Sequence, residues 1–343
     1  MSEPLVISQL PYEERYTLPA IERLADTPEQ VLHKQTRIRE LLRKRNAVLL
    51  AHNYQRDEVQ EVADFVGDSL GLSQQAARTE SDVIVFCGVH FMAETASILC
   101  QDKTVLLPDL KAGCSLAAAL SIEELREWKA KYPGAVVVAY VNTSAAVKAE
   151  SDYCCTSANA AKVVASIPED KEILFVPDKF LGAFVALQTK RKNLIAYPGY
   201  CHVHRTIRSG QVTAMLESRP EIELMIHPEC GCVSSCMTKV LDGTLPQRRT
   251  FFLSTEGMFR HVQESPAKQF AVATEIGMLH RLRIQQPDRD FLPVNPDAVC
   301  AFMKTITLDK ILRSLETLSP EIRVPAETAR RARRAVDRML EIV

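Results

Sequence analysis

The stretch "VVVAYVN" (136–142) is a run of apolar, mostly β-branched residues that stops abruptly in a polar one. A run this short and nearly all apolar suits a strand buried on both faces, as in a parallel sheet. The same form recurs as "VLLAHNY" (48–54) and "ELMIHPE" (223–229). A second run follows each: "VIVFCG" (83–88), "YCCTS" (153–157) and "TFFLSTEG" (250–257). A third ends in an acid: "VLLPD" (105–109), "LFVPD" (174–178) and "FAVATE" (270–275). Helical stretches lie between the runs. Val59, Val62, Ala63 and Val66 sit at i, i+3, i+4, i+7, which predicts a helix through Val66 after the first strand.

Strands alternating with helices imply parallel sheets covered on both faces. The fold class is therefore α/β, with three similar α/β/α units at 35–115, 116–200 and 201–300. Residues 1–34 form an N-terminal extension. Residues 301–343 supply C-terminal helices packing back on the body, including "TLDKILRSLETL" (307–318) and a helix opening near Pro325. Ligands of parallel sheets gather at the carboxyl ends of strands. A pseudo-threefold arrangement of the units would bring His52, Tyr54, Tyr140, Asn142, Ser157, His227, Glu229 and Thr255 to one central site.

The formal charge of −1 over 343 residues gives no electrostatic reason to expect nucleic acid or a membrane surface as partner. The basic runs "RKR" (43–45) and "RRARR" (330–334) fall in helical patterns and read as solvated faces. The opening "MSEPLVISQLPYEER" has no apolar core region, and "AVVVAYV" (135–141) is far too short to span a bilayer. The expectation is a cytoplasmic protein whose ten cysteines are reduced thiols or metal ligands.

Those cysteines offer two metal readings. "HPECGCVSSC" (227–236) crowds Cys230, Cys232 and Cys236 into one loop. Cys114, Cys201 and Cys300 instead each close one unit, at separations of 87 and 99 positions that match no local zinc or ferredoxin signature. Spacing alone leaves both open.

The strings "AHNYQ", "GDSL", "CSL", "YVNTSAAVKAESDYCCTS", "PDKFLG", "GYCHVH", "HPEC" and "NPDAVCAFMKTITLDKI", in this order from about residue 35 to 318, resemble the quinolinate synthase family. The resemblance implies three homologous α/β/α domains around a pseudo-threefold axis. It also implies a central [4Fe–4S] cluster with three cysteine ligands, which map onto Cys114, Cys201 and Cys300, and one open iron. Such an iron acts as a Lewis acid, whereas four cysteines would close the cluster. The implied reaction condenses iminosuccinate with dihydroxyacetone phosphate, losing phosphate and two waters to give quinolinate for NAD synthesis. The resemblance also leaves room for functional coupling to an aspartate-oxidising enzyme, though the sequence does not identify the source of iminosuccinate.

Carried over position by position, the family's substrate contacts fall on His52, Ser69, Tyr140, Asn142, Ser157, His227, Glu229 and Thr255. Tyr54 and His204 match further active-site residues. Glu229 is expected as the general acid or base, with Tyr54 in proton transfer and His227 and His204 orienting or protonating substrate oxygens. No nucleotide-binding loop is present. Ser144, Ser157 and Thr255 precede expected helices, so they are N-caps, anion-binding groups or both. Under this reading Cys230, Cys232 and Cys236 are structural thiols, a redox-active pair or a second metal site. The rival functions are a non-catalytic iron–sulfur sensor, an aconitase-type hydro-lyase and a zinc protein using the 230–236 loop.

Overall fold

The computed structural model describes residues 12–342. Residues 1–11 of the expected N-terminal extension, and Val343, lie outside them. Helix α1 (Pro28–Lys44) opens with a capping box in which Thr27 and Gln30 satisfy each other's backbone N–H groups. It leads into β1 (Ala47–His52), which is buried beyond its first residue and packed by α1, α2 (Asp57–Val62) and α3 (Ser69–Arg78). β2 (Phe65–Gly67), β3 (Val83–Cys87), α4 (His90–Leu99) and β4 (Thr104–Leu106) complete the first unit.

The second unit runs α5 (Ile122–Lys131), β5 (Val136–Tyr140), α6 (Ala145–Ala149), β6 (Tyr153–Cys155), α7 (Ala160–Ala165), β7 (Ile173–Val176), α8 (Lys179–Thr189), β8 (Leu194–Ala196). The third runs α9 (Ser209–Ser218), β9 (Glu223–Ile226), α10 (Val233–Leu241), β10 (Thr250–Phe252), α11 (Thr255–Glu264), β11 (Gln269–Ala273), α12 (Met278–Gln285), β12 (Asp290–Pro293). Each unit's four strands are parallel and lie in the order second, first, third, fourth. Three parallel sheets with one repeated order meet the α/β expectation.

The strand count per unit differs from the sequence reading. The helix expected through Val66 stops at Val62, and Ala63 turns to an extended conformation. Asp64 then locks onto β1: its carboxylate accepts from Leu49 N at 2.8 Å and its own N–H donates to Leu49 O at 3.0 Å. β2 therefore occupies the place given to "VIVFCG", which forms the third strand of its sheet, and "VLLPD" supplies the fourth. Fourth strands β8 and β12 were not anticipated either.

Helix α13 (Leu308–Thr317) packs on α1. Helix α14 (Ala326–Glu341) lies on α4, α6 and β6, and so joins the first two units through a buried stripe that includes Ala329, Ala332, Val336 and Met339. Arg330 and Arg333 pair with Glu327 and Asp337 one turn away, while Arg331 reaches Glu150 and Arg338 the Asp152 carbonyl of the second unit. No helix among the described residues is long and apolar enough to cross a membrane.

Candidate active site

The carboxyl ends of all three sheets surround one cavity with about 700 Å³ of space between protein atoms, mouth included. Every site residue expected from the sequence lines it: His52, Tyr54, Ser69 and Cys114; Tyr140, Asn142, Ser157 and Cys201; His204, His227, Glu229, Thr255 and Cys300.

The three cysteines occupy equivalent turns. Each follows the last strand of one sheet, and a 3-10 turn starts three residues later: Ala117–Ala119, His204–Thr206 and Met303–Thr305. In each, the N–H of the fourth residue on donates to the cysteine carbonyl, at 3.0–3.1 Å. The N–H of the third residue on lies against each sulfur and favours its thiolate. Burial opposes this and holds the Cys114 thiol up at about 11 and Cys300 at about 12. Any metal must therefore displace thiol protons. No other cysteine lines the cavity among the described residues. Three free sulfurs lining one cavity, each met by a backbone N–H, fit a group that takes three thiolates and keeps one position open.

A buried hydrogen-bond network faces the sulfurs. The Tyr140 hydroxyl donates to Glu229 Oε1, and His204 Nδ1 stands 3.4 Å from Glu229 Oε2. Tyr54 and His204 meet at Thr274, whose Oγ1 lies 2.5 Å from the phenol and 3.0 Å from Nε2. His52 and His227 use one local device. Nδ1 of each accepts the N–H two residues on, from Tyr54 at 3.1 Å and Glu229 at 3.4 Å. This leaves the proton on Nε2, which in His227 points at Ser157 Oγ, 3.2 Å away. Burial, reinforced by nearby positive charge, lowers His52 and His227 to about 3, so both rings are neutral near neutral pH. Burial raises Glu229, with the charge of Asp178 adding to it and the Tyr140 hydrogen bond opposing. A carboxyl so placed can hold a proton where an ordinary one cannot.

No Lys or Arg lines the cavity among the described residues. Positive potential comes instead from helix N-termini. Ser69 and Thr255 are the first residues of α3 and α11, but capping falls to their predecessors: Asp68 accepts from Gly71 N and Ser254 from Gly257 N. The expectation of Thr255 as an N-cap is thus corrected to Ser254, and its hydroxyl accepts instead from Asn53 Nδ2 at 2.9 Å. Ser157 is not a cap either, since Asn159 precedes α7; Ser144 does cap α6. Asn142 Oδ1 is buried without a hydrogen-bond partner among the described residues, which suits a group that meets a ligand.

Sequence reasoning missed Glu275, which lines this wall, and the groups that support it. Glu275, after β11, accepts from Cys300 N at 3.0 Å and Gly277 N at 2.6 Å. Lys304 pairs with it at 3.3 Å and donates to Tyr54 O at 2.6 Å. One ion pair thus ties the Cys300 turn to the Tyr54 turn. Gly277 is required there, because a Cβ would come within 2.9 Å of Tyr54 Cα. Asp178 caps α8 from a fully buried position. The acids closing "LFVPD" and "FAVATE" were the signal for both. The N-terminal segment, given no role from sequence, reaches the same wall. The Tyr16 ring lies 5.8 Å from His202 and 6.2 Å from Phe302, while Glu13 bonds Arg205 at 2.9 Å.

Cys230, Cys232 and Cys236 lie off the cavity wall, in the buried core of the third unit. Cys230 Sγ donates to Ala273 O at 3.1 Å.

The family model described as quinolinate synthetase A protein, NadA, matches residues 36–341. A quinolinate synthase of Thermus thermophilus is 56% identical over 302 residues, covering 88% of this chain and 95% of the relative. One from Pyrobaculum aerophilum is 50% identical over 301 residues, covering 88% and 97%. One from Mycobacterium tuberculosis is 52% identical over 305 residues, covering 89% and 87%. With the family model spanning most of the chain and relatives matched over nearly their full length, the chain belongs to the quinolinate synthetase A family.

Proposed function

We propose that this chain is a quinolinate synthase, condensing iminosuccinate with dihydroxyacetone phosphate to quinolinate, phosphate and two waters. The observation that carries this reading is the convergence of three equivalent cysteine turns and a protonatable Glu229 network on one cavity. Cys114, Cys201 and Cys300 would hold a [4Fe–4S] cluster. When bound, it supplies an open iron that acts as a Lewis acid toward hydroxyl and carboxylate oxygens.

The chain's own residues do the rest. Asn142 and Tyr140 orient the dicarboxylate, with Asn142 Oδ1 available to an imine or enamine N–H. Ser69 and Thr255, on the first turns of α3 and α11, receive the phosphate and carboxylate charges. Glu229 removes the proton from the carbon that forms the new bond and returns protons to departing hydroxyls. Tyr54, joined to His204 through Thr274, relays protons, while neutral His52 and His227 donate from Nε2 without charge. A cavity lined mainly by apolar and uncharged groups limits bulk water, which favours dehydration. Residues 35–115, 116–200 and 201–300 act as the three units, with 301–343 packed on them. The free cysteines support work in a reducing cytoplasm, beside an enzyme that oxidises aspartate to iminosuccinate.

The test is anaerobic turnover of the cluster-loaded chain with both substrates, measuring quinolinate and phosphate. Equal amounts of the two are expected. Intact cluster without quinolinate would refute the proposal.

A further inference from the structure

We propose that Cys201, His204 and Glu229 form a single-ion site for a zinc-like divalent cation, used when the three-thiol ligand set is empty. The donor atoms of these three residues lie within 4.8 Å of one another, and no other trio of His, Cys, Asp or Glu among the described residues meets that spacing. The sulfurs of Cys114, Cys201 and Cys300 do not meet it. The distinction is chemical. Zinc with Zn–S of about 2.3 Å and Zn–N of about 2.0 Å holds its ligands roughly 3.5 Å apart, a spacing the Cys201 trio reaches by a small inward shift.

The second observation is a buried nitrogen without a partner. Among the described residues His204 Nδ1 makes no hydrogen bond, although the residue is only 3% exposed. It faces Glu229 Oε2 at 3.4 Å, too poorly aligned to be a hydrogen bond, while Nε2 is engaged by Thr274 at 3.0 Å. The ring is further fixed by stacking on His227 at 4.8 Å. The opposite oxygen of Glu229 is held by Tyr140. Both ligands thus have the second hydrogen-bond partner that metal-binding His and carboxylate groups require. One thiolate, one imidazole and one carboxylate suit zinc, with a fourth position left to water.

The ion would use Cys201, which the cluster needs, and Glu229, which turnover needs. The ion-bearing chain is therefore a blocked form that takes up no cluster until the metal leaves.

The test uses the full-length, reduced, cluster-free chain under anaerobic conditions, titrated with Co²⁺ and then Zn²⁺. The expected result is one ion per chain, with the sulfur-to-cobalt band of a single thiolate. Cys201→Ser, His204→Gln and Glu229→Gln should each weaken binding by more than about tenfold. Cys114→Ser and Cys300→Ser should bind as wild type does. Bound Zn²⁺ should also block cluster reconstitution until it is chelated. Thermal melts of each variant identify any that fail to fold, and the two cysteine controls decide the matter without them. A band of two or three thiolates, or loss of binding in Cys114→Ser or Cys300→Ser, would place the ion on the three-thiol set and overturn the proposal. So would absence of binding, or unchanged binding in both His204→Gln and Glu229→Gln. None of these outcomes bears on quinolinate formation by the cluster-loaded enzyme.

Discussion

Replacing Lys304 by Met keeps most of the side-chain volume and removes one buried ammonium. In the native chain that ammonium lies 3.3 Å from Glu275 Oε1 and donates to Tyr54 O at 2.6 Å and Gln55 O at 3.2 Å. Gln55 O keeps a second donor, Gln60 Nε2, at 3.0 Å, so only Tyr54 O loses its partner outright. That loss costs about 1 kcal/mol. Glu275 is 1% exposed and must either stay charged and unpaired or take up a proton. Breaking a buried pair from one side costs roughly 3–5 kcal/mol. Protonation at pH 7 caps the charge term at about 3.7 kcal/mol for an ordinary glutamate, and at less here, because burial already raises Glu275. The expected destabilisation is therefore about 4 kcal/mol near neutral pH, shrinking as pH falls and Glu275 protonates. Adding Glu275→Gln should recover about 2 kcal/mol or more by removing the stranded charge. The assay is urea unfolding of the cluster-free chain under anaerobic conditions, run as a double-mutant cycle. A loss below about 1 kcal/mol, or strict additivity of the two substitutions, would refute this account of the clasp.

Three shorter predictions accompany it. Glu229→Gln should keep iron content and lower kcat by at least about a hundredfold, and near-normal quinolinate formation would remove Glu229 from the acid–base role. Glu150 joins Arg126 and Lys129 of α5 to Arg331 of α14; burial works to raise its carboxyl, but the arginine hydrogen bonds and the lysine charge prevail and hold it at about 2. Its folded value is depressed, so its stabilisation is present above about pH 4.5 and is lost as pH falls toward 2. Glu150→Gln should cost about 1 kcal/mol at neutral pH and nothing near pH 2, and a cost independent of pH would contradict this. Tyr16→Ala should speed loss of iron to a chelator several-fold while leaving thermal stability nearly unchanged, since the ring covers His202 and Phe302 beside two ligand turns. Equal loss rates would show that the segment does not shield the site.

The repeat was legible because buried parallel strands are apolar throughout, so β1, β5 and β9 stand out as runs. The edge strands were harder to see. β2 is three residues long, its Phe65 is 42% exposed, and the residues before it fit a helical period as well. A usable signal existed in "DF" (64–65) and "DY" (152–153). In both units an aspartate ahead of the second strand bonds the backbone of the first, since Asp152 meets Val137 N at 2.8 Å as Asp64 meets Leu49 N. The expected site residues, all of which line the one cavity, were named through a family resemblance joined to the rule that ligands gather at strand ends. Glu275 was visible only as the acid closing "FAVATE", and its pairing with Lys304 was missed because the partners of Lys304 are distant in sequence. Lys304 is 250 positions from Tyr54, and no local pattern encodes that meeting. The "CGCVSSC" stretch, whose Cys236 lies inside α10, drew attention by density alone, and its thiols are buried in the core of the third unit, off the cavity wall.

The most direct test of the central claim is iron and acid-labile sulfide per chain after anaerobic purification. Wild type would be compared with a combined Cys230/Cys232/Cys236→Ser variant and with single Ser variants at Cys114, Cys201 and Cys300. The account predicts about four irons in wild type and in the loop variant, and marked loss in each single variant. Loss of iron from the loop variant, with the three single variants still loaded, would contradict it and move the metal centre to residues 230–236.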